Sequence, residues 1–175
     1  PHNGLGNLYQ DLNRPDDAEA AYREAIRLNP KLAHPHNGLG NLYQHHLNRP
    51  DEAEAAYREA IRLDPKYAYP HNGLGNLYQH HLNRPDNAES AYREAISLDP
   101  KIAHPHNGLG TLYEEAGQWD AADVEFQQAA AIDSKDGGAP RGLAWVALLA
   151  RGDIAGARAW AAEAMKIDVS HPGSP

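Results

Sequence analysis

Apolar residues near the start of the chain recur with the period of an α-helix. Leu5, Leu8, Tyr9 and Leu12 are spaced three, one and three positions apart, which places all four on one helical face. Ala18, Ala21, Tyr22, Ala25, Ile26 and Leu28 form a second stripe of the same kind. Between the stripes, Asn13 suits the left-handed conformation that ends a helix, and Pro15 suits the first helical position, where a missing N–H costs nothing. Pro1 stands in the same relation to the first stripe. Asp16 and Asp17 follow Pro15 in a first turn, where the helix dipole favours negative charge, and Pro30 closes the second helix. The pattern predicts helix, tight turn, helix. Glu19 and Arg23, like Glu54 and Arg58 or Glu89 and Arg93, stand four apart in the favourable order. They are expected to mark a solvated face worth about a few tenths of a kcal/mol per pair.

The unit then repeats almost letter for letter. Pro35–Tyr69 recurs as Pro70–His104 with five changes in 35 positions, and copies start at Pro1, Pro35, Pro70 and Pro105. A fifth, worn copy starts at Pro140. The first turn reads Tyr9-Gln10-Asp11-Leu12, whereas the next two insert one residue, as Tyr43-Gln44-His45-His46-Leu47 and Tyr78-Gln79-His80-His81-Leu82. So short a unit cannot bury a core alone, so it must stack on its own copies as a solenoid. The expected division is four repeats over 1–34, 35–69, 70–104 and 105–138, then a degenerate pair over 139–175.

The chain resembles the tetratricopeptide repeat family along nearly its whole length. The family's pattern of Leu-Gly, Tyr, a turn residue, Ala, an aromatic, Ala and Pro is met by Leu5-Gly6, Tyr9, Asn13, Ala18, Tyr22, Ala25 and Pro30. Gly40, Tyr43, Ala53, Tyr57, Ala60 and Pro65 match in the second unit, and Gly75, Tyr78, Ala88, Tyr92, Ala95 and Pro100 in the third. The fourth keeps Gly110, Tyr113, Gly117, Ala122, Phe126 and Ala129, with Ser134 where proline is usual. His2, His36, His71 and His106 replace the family's early Trp. In the fifth unit Trp145 stands in the place of the small glycine, beside retained Gly152, Ala157 and Ala164. The resemblance implies an all-α, right-handed α-solenoid superhelix of about five helix pairs.

Composition narrows the function. No run of about 18 apolar residues exists, so no membrane-spanning helix is expected. The chain has no cysteine, hence neither disulfides nor thiolate ligands. A net charge of −8 with interleaved basic residues argues against a nucleic-acid partner. The opening at Pro1 is compatible with a fragment, a processed form or part of a longer chain. The compartment is not fixed by these residues, a soluble protein or one extracellular after processing being compatible with them.

Candidate chemistry is sparse. Gly38-Leu39-Gly40 echoes a dinucleotide loop, but no strand precedes it and no third glycine follows, so it reads as helix packing. Ser90, Ser97 and Ser134 lack a recurring base and acid, and no enzyme or cofactor is expected. The eleven histidines fall at unit ends and turns. His45, His46, His80 and His81 are the residues a zinc, copper or nickel site would use. The simpler reading is a polar turn residue copied with its unit, and no metal is expected. Protonation near pH 6 would then line up like charges along the stack.

Asparagine offers the better binding surface. Asn3 and Asn7, Asn37 and Asn41, and Asn72 and Asn76 lie four apart on each first helix, with Asn107 and Thr111 in the fourth unit. The family resemblance implies that first helices line the concave surface, and that Asn7, Asn41 and Asn76 match a position that holds a ligand's backbone in peptide-binding members. A known asparagine ladder in the family falls one place after Asn3, Asn37 and Asn72, where this chain has Gly4, Gly38 and Gly73. Nothing resembles the Lys and Arg clamp used for a terminal carboxylate. Because the units are nearly identical, one particular peptide is a poor match, whereas a repetitive partner fits. The leading expectation is therefore a structural scaffold joining copies of itself head to tail, as a filament or tube, through Trp160, Ala164 and Ile167. The echo of Ala33-His34-Pro35-His36 in Ser170-His171-Pro172-Gly173 suggests a continued register. The alternative is an adaptor that binds an extended peptide along the asparagine face.

Overall fold

The computed structural model describes residues 2–133 and 138–170. Pro1, Ser134 and the His171-Pro172-Gly173 part of the tail echo lie outside the described residues. The described residues form ten α-helices and no strand: α1 (His2–Asp11), α2 (Pro15–Leu28), α3 (Ala33–His45), α4 (Pro50–Leu63), α5 (Ala68–His80), α6 (Pro85–Leu98), α7 (Ala103–Glu115), α8 (Trp119–Ile132), α9 (Gly138–Arg151) and α10 (Ile154–Ser170). They fold as consecutive hairpins, and these divide into two compact units, one over 1–98 and one over 99–175. No helix among the described residues is long and apolar enough to cross a membrane.

The turns follow the sequence signals. Pro15 and Pro50 open α2 and α4 at the first positions, and Asn13, Asn48 and Asn83 take φ near +50°, the left-handed region that L-residues other than Asn rarely visit. Gly117 and Gly152 do the same in the later turns. The extra residue of the middle units is absorbed here. Arg14 N–H reaches the Tyr9 carbonyl at 2.8 Å across five positions, and Arg49 N–H reaches the Tyr43 carbonyl at 2.8 Å across six. The first helices of later units start before their prolines, at Ala33, Ala68 and Ala103. Pro35, Pro70 and Pro105 are thus third in their helices, where an N–H would still have no intrahelical acceptor.

Within each unit, consecutive pairs are joined by an aromatic ring. Tyr22 of α2 is fully buried, with Gly6 of its own pair on one side and Gly38 of the next pair on the other. Tyr57 sits likewise between Gly40 and Gly73, and Phe126 between Gly110 and Gly142. A Cβ at any of these glycines would lie 2.4–2.6 Å from a ring carbon, so each glycine is fixed by a close approach. Gly4 has nothing within 4 Å of where its Cβ would stand.

A polar latch accompanies each of these three rings. Tyr43 donates its hydroxyl to Glu19 Oε1 at 3.1 Å, and Arg49 reaches Glu19 Oε2 at 3.2 Å while its guanidinium stacks 4.5 Å over the Tyr43 ring. Tyr78 donates to Glu54 at 2.9 Å in the next joint, with Arg84 3.7 Å from the same carboxylate. The expected solvated face is therefore half right. Arg23 and Arg58 are exposed, but Glu19 and Glu54 are only 18 % exposed and grip the following pair. Burial alone would raise the Glu19 carboxyl, yet the hydrogen bonds from Arg23 and Tyr43 and the Arg23 and Arg49 charges together hold it below the ordinary range. In the joint between α8 and α9, Asp123 holds this place and accepts from Arg151 at 2.6 Å.

Packing also corrects the register of the fifth pair. Gly142 meets Phe126 as Gly38 meets Tyr22, so Ala144, not Trp145, takes the place of the second glycine. Trp145 falls at the position of Asn41 and is 52 % exposed. Ala157 aligns with the buried Ala53 and Ala122. Arg158 then aligns with Glu54 and Asp123, and Ala161 with Tyr57 and Phe126.

Candidate functional site

In the unit formed by α1–α6 each first helix touches the next first helix, α1 with α3 and α3 with α5. Among its described residues no second helix touches the next second helix. This unit therefore curves with its first helices inside, and what those helices expose between ring joints lines the inner face.

The buried ring hydroxyls bond to amides that stand on that face. Tyr57 Oη lies 2.8 Å from Asn41 Oδ1 and 2.9 Å from Gln44 Oε1. Tyr92 Oη lies 2.7 Å from Asn76 Oδ1 and 2.9 Å from Gln79 Oε1, and Tyr22 Oη lies 2.7 Å from Asn7 Oδ1 and against Gln10. A phenol has one proton, so it can donate to only one amide oxygen. The other amide must turn its NH2 toward the hydroxyl. Burial raises the Tyr22 phenol to about 12, with the nearby Asp11 adding to it, and burial raises Tyr57 further, so both rings stay protonated. Gln44 is the buried amide of its triad, whereas Asn41 and Asn76 are half-buried and Asn7 is exposed. The triad was not anticipated from sequence. Its signal was the strict recurrence of Asn and Gln three places apart with a tyrosine in the next helix.

Three positions change together further along. Where the first three pairs have Tyr, Asn and Gln, the fourth has Phe126, Thr111 and Glu114, and the fifth has Ala161, Trp145 and Leu148. Thr111 bonds to the Asn107 carbonyl of its own helix at 3.0 Å. Burial and then the neighbouring Glu115 raise the Glu114 carboxyl.

Asn3, Asn37 and Asn72 form the second row. Their Oδ1 atoms are enclosed and have no hydrogen-bond partner among the described residues. Asn107 occupies the same position in α7, half-buried. His106 Nδ1 lies 2.7 Å from Glu125 Oε2, and His36 and His71 are half-buried, so the family's Trp site is filled here by a polar ring.

The histidine pairs come near each other but build no cage. The charges of His81, His46 and His80 act on His45, whose imidazole is held below its ordinary range first by burial and then by these neighbours. Among the described residues no group of three or more His, Cys, Asp or Glu is placed to hold a metal ion. Of the three residues expected at a self-association surface, Trp160 is 38 % exposed, Ile167 is half-buried, and Ala164 is buried at 4 %. Ala164 points into its own helix pair, as Ala60 and Ala129 do.

No curated protein sequence matches the chain. Several solved structures share its fold. MamA superposes with a TM-score of 0.73 at 20% identity over 95% of each chain. PilW, described as a widely conserved type IV pilus biogenesis factor, gives 0.84 at 22% identity, over 97% of this chain and 77% of that one. YrrB, described as having an unusual peptide-binding site, gives 0.66 at 21% identity over 98% and 87%. Sequence models of the tetratricopeptide repeat match residues 3–68, 46–101, 82–140 and 142–163. With all-helical repeats, the glycine and ring joints between pairs and matches along nearly its whole length, the chain belongs to the tetratricopeptide repeat family.

Proposed function

We propose that the protein is a non-catalytic adaptor that holds an extended polypeptide along the inner face of α1, α3 and α5. The observation that carries this reading is the Tyr–Asn–Gln triad, set three times on that face. In the middle repeat, Tyr57 and Gln44 fix Asn41 from below. The Asn41 amide then has hydrogen-bonding capacity left over at the surface. An extended chain offers one N–H and one C=O per residue, which amides can meet whatever the side chains. Near-identical repeats suit such a backbone reader.

End-to-end joining of copies has less support. α1 exposes Leu5 and Leu8, at 39 % and 49 %, whereas their counterparts in α3, Leu39 and Leu42, are buried. That face would accept a ring and a latch, but α10 offers Ala161 and Arg158 at those places.

The test is selection of linear peptides from a displayed random library on the wild-type chain. Enriched peptides should lose binding to the Asn41→Ala, Asn76→Ala double variant and should shift amide signals of α3 and α5 in NMR spectra. Absence of any enriched peptide, or shifts confined to α2 and α4, would overturn the proposal.

A further inference from the structure

α9 and α10 enclose an open groove of about 550 Å³ lined by Ala144, Trp145, Leu148, Ala157, Ala161 and Ala164, with Arg158 and Met165 on its edge. Its walls are apolar and unusually bare. Trp145 is 52 %, Leu148 41 % and Met165 68 % exposed.

The groove arises because two positions of the joint are recoded. In α2, α4 and α8 the site of Ala161 holds a ring, Tyr22, Tyr57 or Phe126, that slides against the glycine of the following first helix. The site of Arg158 holds an acid, Glu19, Glu54 or Asp123, that grips the following pair. α10 has neither, and Arg158 forms no ion pair among the described residues. Internal joints provide a ring and an acid. This one has room for a ring and a cation to meet an acid.

We infer that the groove docks an amphipathic helix from another protein, one that places a bulky apolar side chain over Ala161 and an aspartate or glutamate against Arg158. Charge complementarity selects this occupant over a second copy of the chain. A copy docking through α1 in the manner of an internal joint would bring Arg14, the counterpart of Arg49, to Arg158. That contact is repulsive where Glu19 and Arg49 attract. The site is separate from the inner face of α1–α6 and does not depend on the peptide reading.

Two labelled synthetic helical peptides test it on the full chain by fluorescence anisotropy. Both carry the same Leu and Trp stripe, one flanked by Glu and the other by Lys. The acidic peptide is expected to bind about tenfold more tightly or better. Arg158→Glu, at an exposed position, should invert the preference. Ala161→Phe should fill the groove and weaken the acidic peptide about tenfold or more while the helical circular dichroism is unchanged. Asn41→Ala with Asn76→Ala should leave its binding intact. Equal binding of the two peptides, or binding indifferent to both groove variants, overturns the inference. So does self-association in sedimentation velocity that Arg158→Glu abolishes, which would make a second copy the occupant. Capture by phosphatidylglycerol vesicles with neither peptide bound would likewise overturn it in favour of a lipid surface.

Discussion

The first three helix pairs and the last two build the same joint from different chemistry. In α1–α6 the ring carries a hydroxyl, and that hydroxyl is held by Asn and Gln, so the joint that stacks the pairs also fixes the polar inner face. In α7–α10 the ring becomes Phe126 and then Ala161, and the amides become Thr111 and Glu114, then Trp145 and Leu148. Packing of the ring against glycine survives this change once, at Gly110 and Gly142, while hydrogen bonding to it does not. Stacking and surface chemistry are thus separable in this repeat, and a single hydroxyl links them.

The strongest way to break the comparison is through the glycines. Gly73→Val puts a Cβ 2.5 Å from the Tyr57 ring and is expected to cost about 3 kcal/mol in urea unfolding followed by circular dichroism. Gly4→Ala, in the same local sequence, meets open space and should be neutral or stabilising by up to about 1 kcal/mol. Similar losses for the two would refute the ring joint.

Next in size is the hydroxyl. Tyr57→Phe leaves Asn41 and Gln44 without their shared partner and should cost about 1–2 kcal/mol, because Gln44 is buried. Tyr57→Phe should also weaken a peptide bound on the inner face, whereas Phe126 shows that the ring alone stacks well enough. The latch follows. Glu54→Gln keeps the shape but removes the charge facing Arg58 and Arg84, and a loss of about 1 kcal/mol is expected in the same assay.

The smallest effect is on pH dependence. Burial holds His36, His45 and His71 below the ordinary imidazole range. The unfolded chain therefore takes up more protons as pH falls through about 6.5, and stability present above that value is lost below it. Glu19 and Glu54 are shifted down, so their contribution stays until the pH drops below about 4.5 and then fails as well. Thermal melts should show a shallow decline beginning near pH 6.5 and a steeper one at lower pH. His45→Gln should flatten only the first, and a first decline that His45→Gln leaves unchanged would remove the histidine cluster from the account.

Much of this fold was legible in the chain, since Leu5 to Leu12 and Ala18 to Leu28 carry helical periods and Asn13 and Pro15 mark the turn between them. What single-helix patterns hid were contacts between repeats. Glu19 reads as the partner of Arg23 because they are four apart, yet its second set of partners, Tyr43 and Arg49, lies a full repeat away. In the fifth pair Pro140 mimics Pro35 one place out of register, and the approach of Gly142 to Phe126 identifies the true alignment. At the candidate site the asparagine rows were visible as rows. Their difference was not: Asn41 and Asn76 are oriented by a tyrosine from the second helix, whereas Asn37 and Asn72 have an enclosed oxygen that meets no donor among the described residues.

The two faces of a middle unit are complements of each other. Pro35–Tyr69 offers Gly38, Tyr43 and Arg49 to the unit before it and Tyr57 and Glu54 to the unit after it. A gene segment encoding such a unit can be duplicated in place, and each new copy finds matching neighbours on both sides without further mutation. The same duplication of 139–170 would fail, since Ala161 and Arg158 match no first helix in the chain. Length in this protein is therefore an easily varied trait in its interior, where the second and third units are nearly identical.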